Sequence, residues 1–171
     1  MTAYRRGFTI IELMIVVVIV AILATFAAPN LSEMVGRMRL KTASGELHTS
    51  LLFARSEAIK RNAVVTIVPT NAADWSQGWQ VQDAGAVVMQ RQDAFPGVTF
   101  STRNAAYAAQ AVATIAFNGS GRESANGAGG VAFVLTLPAY GNVLARCVVL
   151  DPSGRPAVRN DKNGDAADGC N

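Results

Sequence analysis

An apolar run near the N-terminus constrains this chain more than any other feature. Every residue from 8 to 28 is apolar except Thr9, Glu12 and Thr25. As a helix this run spans about 30 Å, the thickness of a bilayer's hydrocarbon core. Arg5 and Arg6 precede it, and no basic residue follows before Arg37. The positive-inside rule then leaves the first residues in the cytoplasm and sends everything after Ala28 outward. A cleaved secretory signal is the alternative, but its apolar region is shorter, about 7–15 residues, and a carboxylate inside it is unwelcome. Glu12 is such a carboxylate. Within an apolar span it costs at least a few kcal/mol, about 2.5 or more, unless it is paired, neutralised or close to the interface. It is therefore either an acid snorkelling to the cytoplasmic surface or an acid in search of a partner.

With 171 residues, the chain has room for one modest globular domain and one long extra element. Its formal charge of +3 is unevenly placed. Residues 1–61 carry eight basic and four acidic side chains, and residues 62–171 carry seven basic and eight acidic. The excess lies on the N-terminal arm and is no sign of a DNA-binding head. Cys147 and Cys170 have neither the CxxC nor the Cys/His spacing of a metal or redox site. In an exported protein such a pair reads as a structural disulfide, the alternative being two independent buried thiols.

Pro29 should bend or break the helix, because it removes a backbone donor. Helical spacing then resumes at Leu31, Met34, Val35, Met38, Ala43, Leu47, Leu51, Ala54 and Ala58. Glu33 with Arg37, and Glu57 with Arg61, are four apart and can pair along one face. A helix over 8–62, about 80 Å long if continuous, is expected, with Gly36 and Gly45 as weak spots. The period then changes. Strand-like runs fall at 64–68, 79–82, 86–90, 98–101, 114–117, 131–137 and 143–150, with a short return near 157–159. Asp151-Pro152-Ser153-Gly154 makes the turn before that return. The stretch 118–130 holds five glycines and no large apolar residue, and reads as a mobile loop. The expected fold is α+β, a long N-terminal transmembrane helix, kinked near Pro29, packed on an antiparallel β-sheet head. Four segments result: a leader at 1–7, a membrane helix at 8–28, an amphipathic half at 29–62 and a β-rich head with a disulfide-closed tail at 63–171.

The string Arg5-Arg6-Gly7-Phe8-Thr9-Ile10-Ile11-Glu12-Leu13 resembles the leader and cleavage site of type IV prepilins. The resemblance implies a cut after Gly7 by a prepilin peptidase, N-methylation of the new N-terminal Phe8, and an assembly role for Glu12 at the fifth mature position. It also implies residence in the inner membrane with a periplasmic head, then in a cell-surface fibre. Partners would be other major and minor pilins and the inner-membrane assembly platform. In a fibre of packed helices Glu12 can pair with a neighbouring subunit's N-terminal amine in a low-dielectric surround.

Further strings narrow the likeness. Residues 54–62, Trp75-Ser76-Gln77-Gly78-Trp79 and Phe117-Asn118-Gly119-Ser120-Gly121-Arg122 resemble the minor pilins and pseudopilins named FimT, FimU and GspH. Cys147-Val148-Val149, Ser153-Gly154-Arg155 and Cys170 fit the pilus-associated members. DNA-uptake members carry Gly-Arg-x-Arg near the C-terminus. Here the string is Gly154-Arg155-Pro156-Ala157-Val158-Arg159, with the second Arg displaced by two positions. Arg155, Arg159 and Lys162 are the candidate DNA contacts, but Asp161, Asp165 and Asp168 lie beside them, so nucleic acid is not the favoured partner. The leading expectation is a non-catalytic minor pilin that primes assembly or caps the tip of a pilus. A DNA-uptake receptor and a type II secretion pseudopilin are the alternatives. No cofactor is implied, and the one histidine, His48, reads as a solvated helix position. Residues 161–168 space oxygen side chains like the start of a calcium loop. Ala166 replaces that loop's turn glycine and no Glu closes it, so a solvated acidic turn is preferred.

Overall fold

The computed structural model describes residues 7–171 apart from 72, 73, 105, 106, 127–129, 142, 166, 167, 169 and 171, with the backbone alone for 26–30. The chain forms two compact units, Met1–Val35 and Gly36–Asn171. One helix, α1 (Ile10–Arg61), contributes to both. It is assigned as a single element through Pro29. Of the bend or break expected at Pro29, the break does not occur: one missing donor leaves the rest of the hydrogen-bond ladder in place. The first unit holds the start of α1, whose large apolar side chains are exposed from Ile10 to Leu23.

In the second unit α1 buries one stripe: Leu40, Ala43, Leu47, Leu51, Ala54 and Ala58. The spacing of three and four residues keeps them on one face. Fully burying each leucine contributes roughly 1.5–3 kcal/mol. Met38, expected on this stripe, is 53% exposed. Five residues separate it from Ala43, which turns it about 140° around the helix, so the two cannot share a face. Gly36 is buried against Leu137 and Tyr140, and a Cβ there would stand 3.4 Å from Leu137 Cδ1. The helix ends in a Schellman motif. Asn62 takes φ 48°, its N–H donates to Ile59 O, and the Ala63 N–H donates to Ala58 O. Arg61 Nε meets Glu57 Oε2 at 2.7 Å, as the four-residue spacing suggests.

Eight strands follow: β1 (Val65–Asn71), β2 (Asp74–Asp83), β3 (Val88–Asp93), β4 (Thr99–Asn104), β5 (Ile115–Phe117), β6 (Val131–Thr136), β7 (Arg146–Leu150) and β8 (Pro156–Asn160). They form two antiparallel sheets rather than one, in the orders β3-β2-β1-β5 and β4-β6-β7-β8. The sequence pattern misses the first half of β2, where Gly78 takes φ 92° inside the strand. Pro69 is tolerated because β5 pairs only with residues 65–67, so β1 has a single neighbour at the proline. Trp75 and Trp79 anchor the core. Trp75 packs edge-on to Phe133 at 4.8 Å and donates its indole N–H to Val112 O at 2.7 Å.

The stretch 118–130 lies between β5 and β6, as a loop should, with residues 127–129 outside the described residues. Asn118 Oδ1 accepts the N–H groups of Ser120 and Arg122, and Glu123, itself buried, accepts those of Ala125 and Asn126. Gly121 is buried beside Ile59 and takes φ 73°, a conformation that residues with a side chain rarely adopt. Composition marks the loop, and its polar side chains satisfy its own backbone, as Asn does in a turn.

Candidate functional site

At the N-terminus α1 begins at Ile10, so Phe8 lies ahead of it and Thr9 is its N-cap. Thr9 Oγ1 accepts the Glu12 N–H at 3.2 Å. This is one half of a capping box, with threonine at the cap and glutamate three residues on. Glu12 therefore stands in the first helical turn, where the helix dipole favours a negative charge. The Thr-x-x-Glu spacing is readable in the sequence and is the signal overlooked there. Gly7 and Phe8 are both exposed. Arg5 and Arg6 of the expected leader lie outside the described residues.

Behind Glu12 the helix is apolar all round. Leu13, Met14, Ile15, Val16, Val17 and Val18 are six of the large side chains exposed there. Successive residues point in every direction about the axis, so the exposure is not a stripe facing one neighbour. Among the described residues no helix is long and apolar enough to cross a membrane. The part of the apolar run with described side chains ends at Thr25.

At the other end of the chain, Cys147 and Cys170 are joined by a disulfide, with Cα atoms 5.9 Å apart. It sits in a small apolar cluster with Val134 and Ala145. The bridge ties the tail to β7, on the face opposite Val148 and Leu150. Within that tail the Asp161 side chain is buried, and its Oδ1 accepts the N–H groups of Asn163 and Gly164. The Asn163 amide donates to Asp168 Oδ2 at 2.7 Å. These carboxylates bond within the turn, and Ala166, expected in place of a calcium loop's glycine, lies outside the described residues.

Arg155, Arg159 and Lys162 are all exposed. Arg155 precedes β8, Arg159 lies on it and Lys162 follows it. Arg155 and Arg159 lie an even number of residues apart and so share a sheet face. Arg159 also reaches the Tyr107 hydroxyl at 3.4 Å. Beside them Asp151 shapes the turn into β8. Burial raises the affinity of its carboxylate for a proton. Donation from the Ser153 hydroxyl and from the Ser153 and Arg155 N–H groups, with the charge of Arg155, outweighs that and leaves its pKa below the usual value. His48, on α1, is half-buried.

Residues 43–154 match the family model described as Type II transport protein GspH, and residues 2–28 match the prokaryotic N-terminal methylation motif. A pilin-like protein of Thermus thermophilus, PilA1, is 44% identical over 61 residues. That alignment covers 36% of this chain and 38% of the relative. The type IV minor pilin FimU of Pseudomonas aeruginosa superposes with a TM-score of 0.59 at 22% identity, covering 72% of this chain and 90% of that one. The minor pseudopilin EpsH from the type 2 secretion system of Vibrio cholerae gives 0.51 at 9% identity, covering 71% and 95%. At these identities the two structures establish the fold alone, an α+β pilin-like arrangement of N-terminal helix and antiparallel sheets. With the family model spanning residues 43–154 and the methylation motif ahead of it, the chain belongs to the GspH family.

Proposed function

We propose that this chain is a minor pilin, a non-catalytic structural subunit that primes assembly or caps the tip of a bacterial type IV pilus. The supporting observation is the helix that is apolar on every side behind a capped, acid-bearing N-terminus. Such a surface is disfavoured in water, and a bilayer followed by a bundle of like helices would cover it. In this reading residues 1–7 are a leader, 8–28 the membrane and fibre-core segment, and the β-rich head stays outside the membrane. Cleavage after Gly7 leaves the Phe8 amine at the helix start. Glu12 then pairs with the amine of a neighbouring subunit, and the pair sets the register in the fibre. The family's own description favours a second reading, a minor pseudopilin of a type II secretion system.

Mass spectrometry of the mature chain from its host tests the common part. The expected product begins at a methylated Phe8. A mature chain beginning near residue 29 overturns both readings, since it would be a secretory signal that was removed. Sheared surface fibres separate the two. Recovery of the mature chain in them supports the pilus. Absence from fibres, with lost protein secretion on deletion of its gene, supports the pseudopilin.

A further inference from the structure

The two edges of the β4-β6-β7-β8 sheet differ. Along β4 the far side is covered: the Gln110 N–H donates to Thr102 O, the Asn104 N–H donates to Ala108 O, and Arg103 bridges Ala109. Among the described residues no strand covers β8, and residues 157–160 are all exposed. The parity of that edge follows from the bonds that bracket it. The Asp151 N–H donates to Arg155 O at 3.2 Å and the Asp161 N–H to Ala145 O at 3.1 Å. In an antiparallel ladder, hydrogen-bonded pairs alternate with non-bonded ones. Residues 155, 157, 159 and 161 therefore bond towards β7. The N–H groups of Val158 and Asn160, and the C=O groups of Pro156, Val158 and Asn160, point away from it.

The open edge ends at a cleft of about 330 Å³, whose walls include Arg37, Leu40, Leu144, Arg146, Asn160 and Asp161. Arg146 pairs in register with Asn160 and Val148 with Val158, so Arg146, Val158 and Asn160 share one face. Arg146 Nε is buried without a hydrogen-bond partner among the described residues. An unmet donor of that kind is costly, and an incoming carboxylate would satisfy it. Asp161 is committed to its own turn. Two aliphatic side chains are exposed nearby in the fold: Val158, at 38%, on the same sheet face as Arg146, and Leu144, at 51%, on the wall of the cleft.

We propose that β8 is a docking edge for an extended acidic segment of a partner protein. The segment adds a strand beside β8, places a carboxylate on Arg146 and covers Val158 and Leu144 with aliphatic side chains. A free strand edge offers backbone donors and acceptors that complement another strand. Duplex phosphate fits less well, because Arg155 and Arg159 lie on the sheet face opposite Arg146.

The test uses the full chain in detergent micelles and fluorescence anisotropy of short labelled peptides of alternating Glu and Val. Peptides of alternating Lys and Val, and duplex DNA, serve as comparisons. Saturable binding of the acidic peptide is expected, with the basic peptide inert. Arg146→Ala should weaken it about tenfold. Val158→Pro removes an outward donor while leaving the β7–β8 ladder whole, and should weaken it comparably. Val87→Thr, at an exposed position in the connection between β2 and β3 of the other sheet, should leave it unchanged. Unchanged thermal melting and an intact disulfide establish that the variants are folded. Failure of the acidic peptide to saturate overturns the proposal, as does indifference to Val158→Pro. Duplex DNA binding more tightly than the peptide, and lost with Arg155→Ala or Arg159→Ala, overturns it in favour of a nucleic-acid site.

Discussion

Gly154 sits where three pieces of the head meet, and replacing it with alanine is the sharpest stability test. Its N–H donates to Asp151 O at 2.9 Å and closes the turn between β7 and β8, with φ at 79°. A Cβ on Gly154 would stand 2.1 Å from Gly121 O and 3.2 Å from Phe117 Cε1. The first obstacle is backbone, in a turn whose own glycine takes φ 73°, so no side-chain rotation relieves it. A non-glycine residue in this conformation costs about 1–3 kcal/mol. Forcing apart a packed contact costs a further 1–3 kcal/mol or so. The two together, about 2–6 kcal/mol, are a large share of a domain's stability of roughly 5–15 kcal/mol. Gly45→Ala is the counterpart: Gly45 is exposed within α1, with nothing within 4 Å of an added Cβ. That change should stabilise by about 0.5–1 kcal/mol. Equilibrium denaturation of the full chain in detergent, followed by the fluorescence of Trp75 and Trp79 (each 1% exposed), reads both. If Gly154→Ala falls within about 0.5 kcal/mol of the wild type, the packing of the two turns has been misread. The same holds if Gly45→Ala is as damaging as Gly154→Ala.

Three further outcomes are expected. The disulfide closes a loop of sequence separation 23, so replacing both cysteines with alanine should cost about 3 kcal/mol. No thiol should titrate in the unfolded, unreduced protein, and two titrating thiols would refute the bridge. Glu12→Gln keeps a residue able to complete the capping box but removes the charge. Gln and Ala variants should therefore both reach the membrane normally and both enter fibres poorly, whereas normal incorporation of the Gln variant would make hydrogen bonding, not charge, the function of Glu12. Asp151 has a folded pKa below its unfolded value, near 4. Its stabilising contribution is present above pH 4 or so and is lost as pH falls through the folded pKa. Wild type should thus lose more stability than Asp151→Asn between about pH 5 and 2. Parallel acid denaturation curves would remove Asp151 from that account.

What the sequence discloses depends on whether its cause is local. The helix is legible because period and cap lie along one segment. Leu47, Leu51, Ala54 and Ala58 keep helical phase, and Glu57 finds Arg61 one turn on. The division into two sheets is not legible, since β4 could pair with β3 as readily as with β6 on propensity alone. What decides it is the non-local burial of Phe100 and Phe133. The N-terminal site is legible for the same reason as the helix, because Gly7, Phe8, Thr9 and Glu12 form one contiguous string. The edge at β8 is an intermediate case. The turn Asp151-Pro152-Ser153-Gly154 is readable, and once it is accepted the bond from the Asp151 N–H to Arg155 O sets the parity of every later residue. Val158 and Asn160 are outward-facing by that reasoning alone. The missing step is that, among the described residues, β8 has no further neighbour and Arg146, at the head of an otherwise apolar strand, has no hydrogen bond to its Nε. Both are properties of what three-dimensional packing leaves uncovered, and no window of sequence contains them.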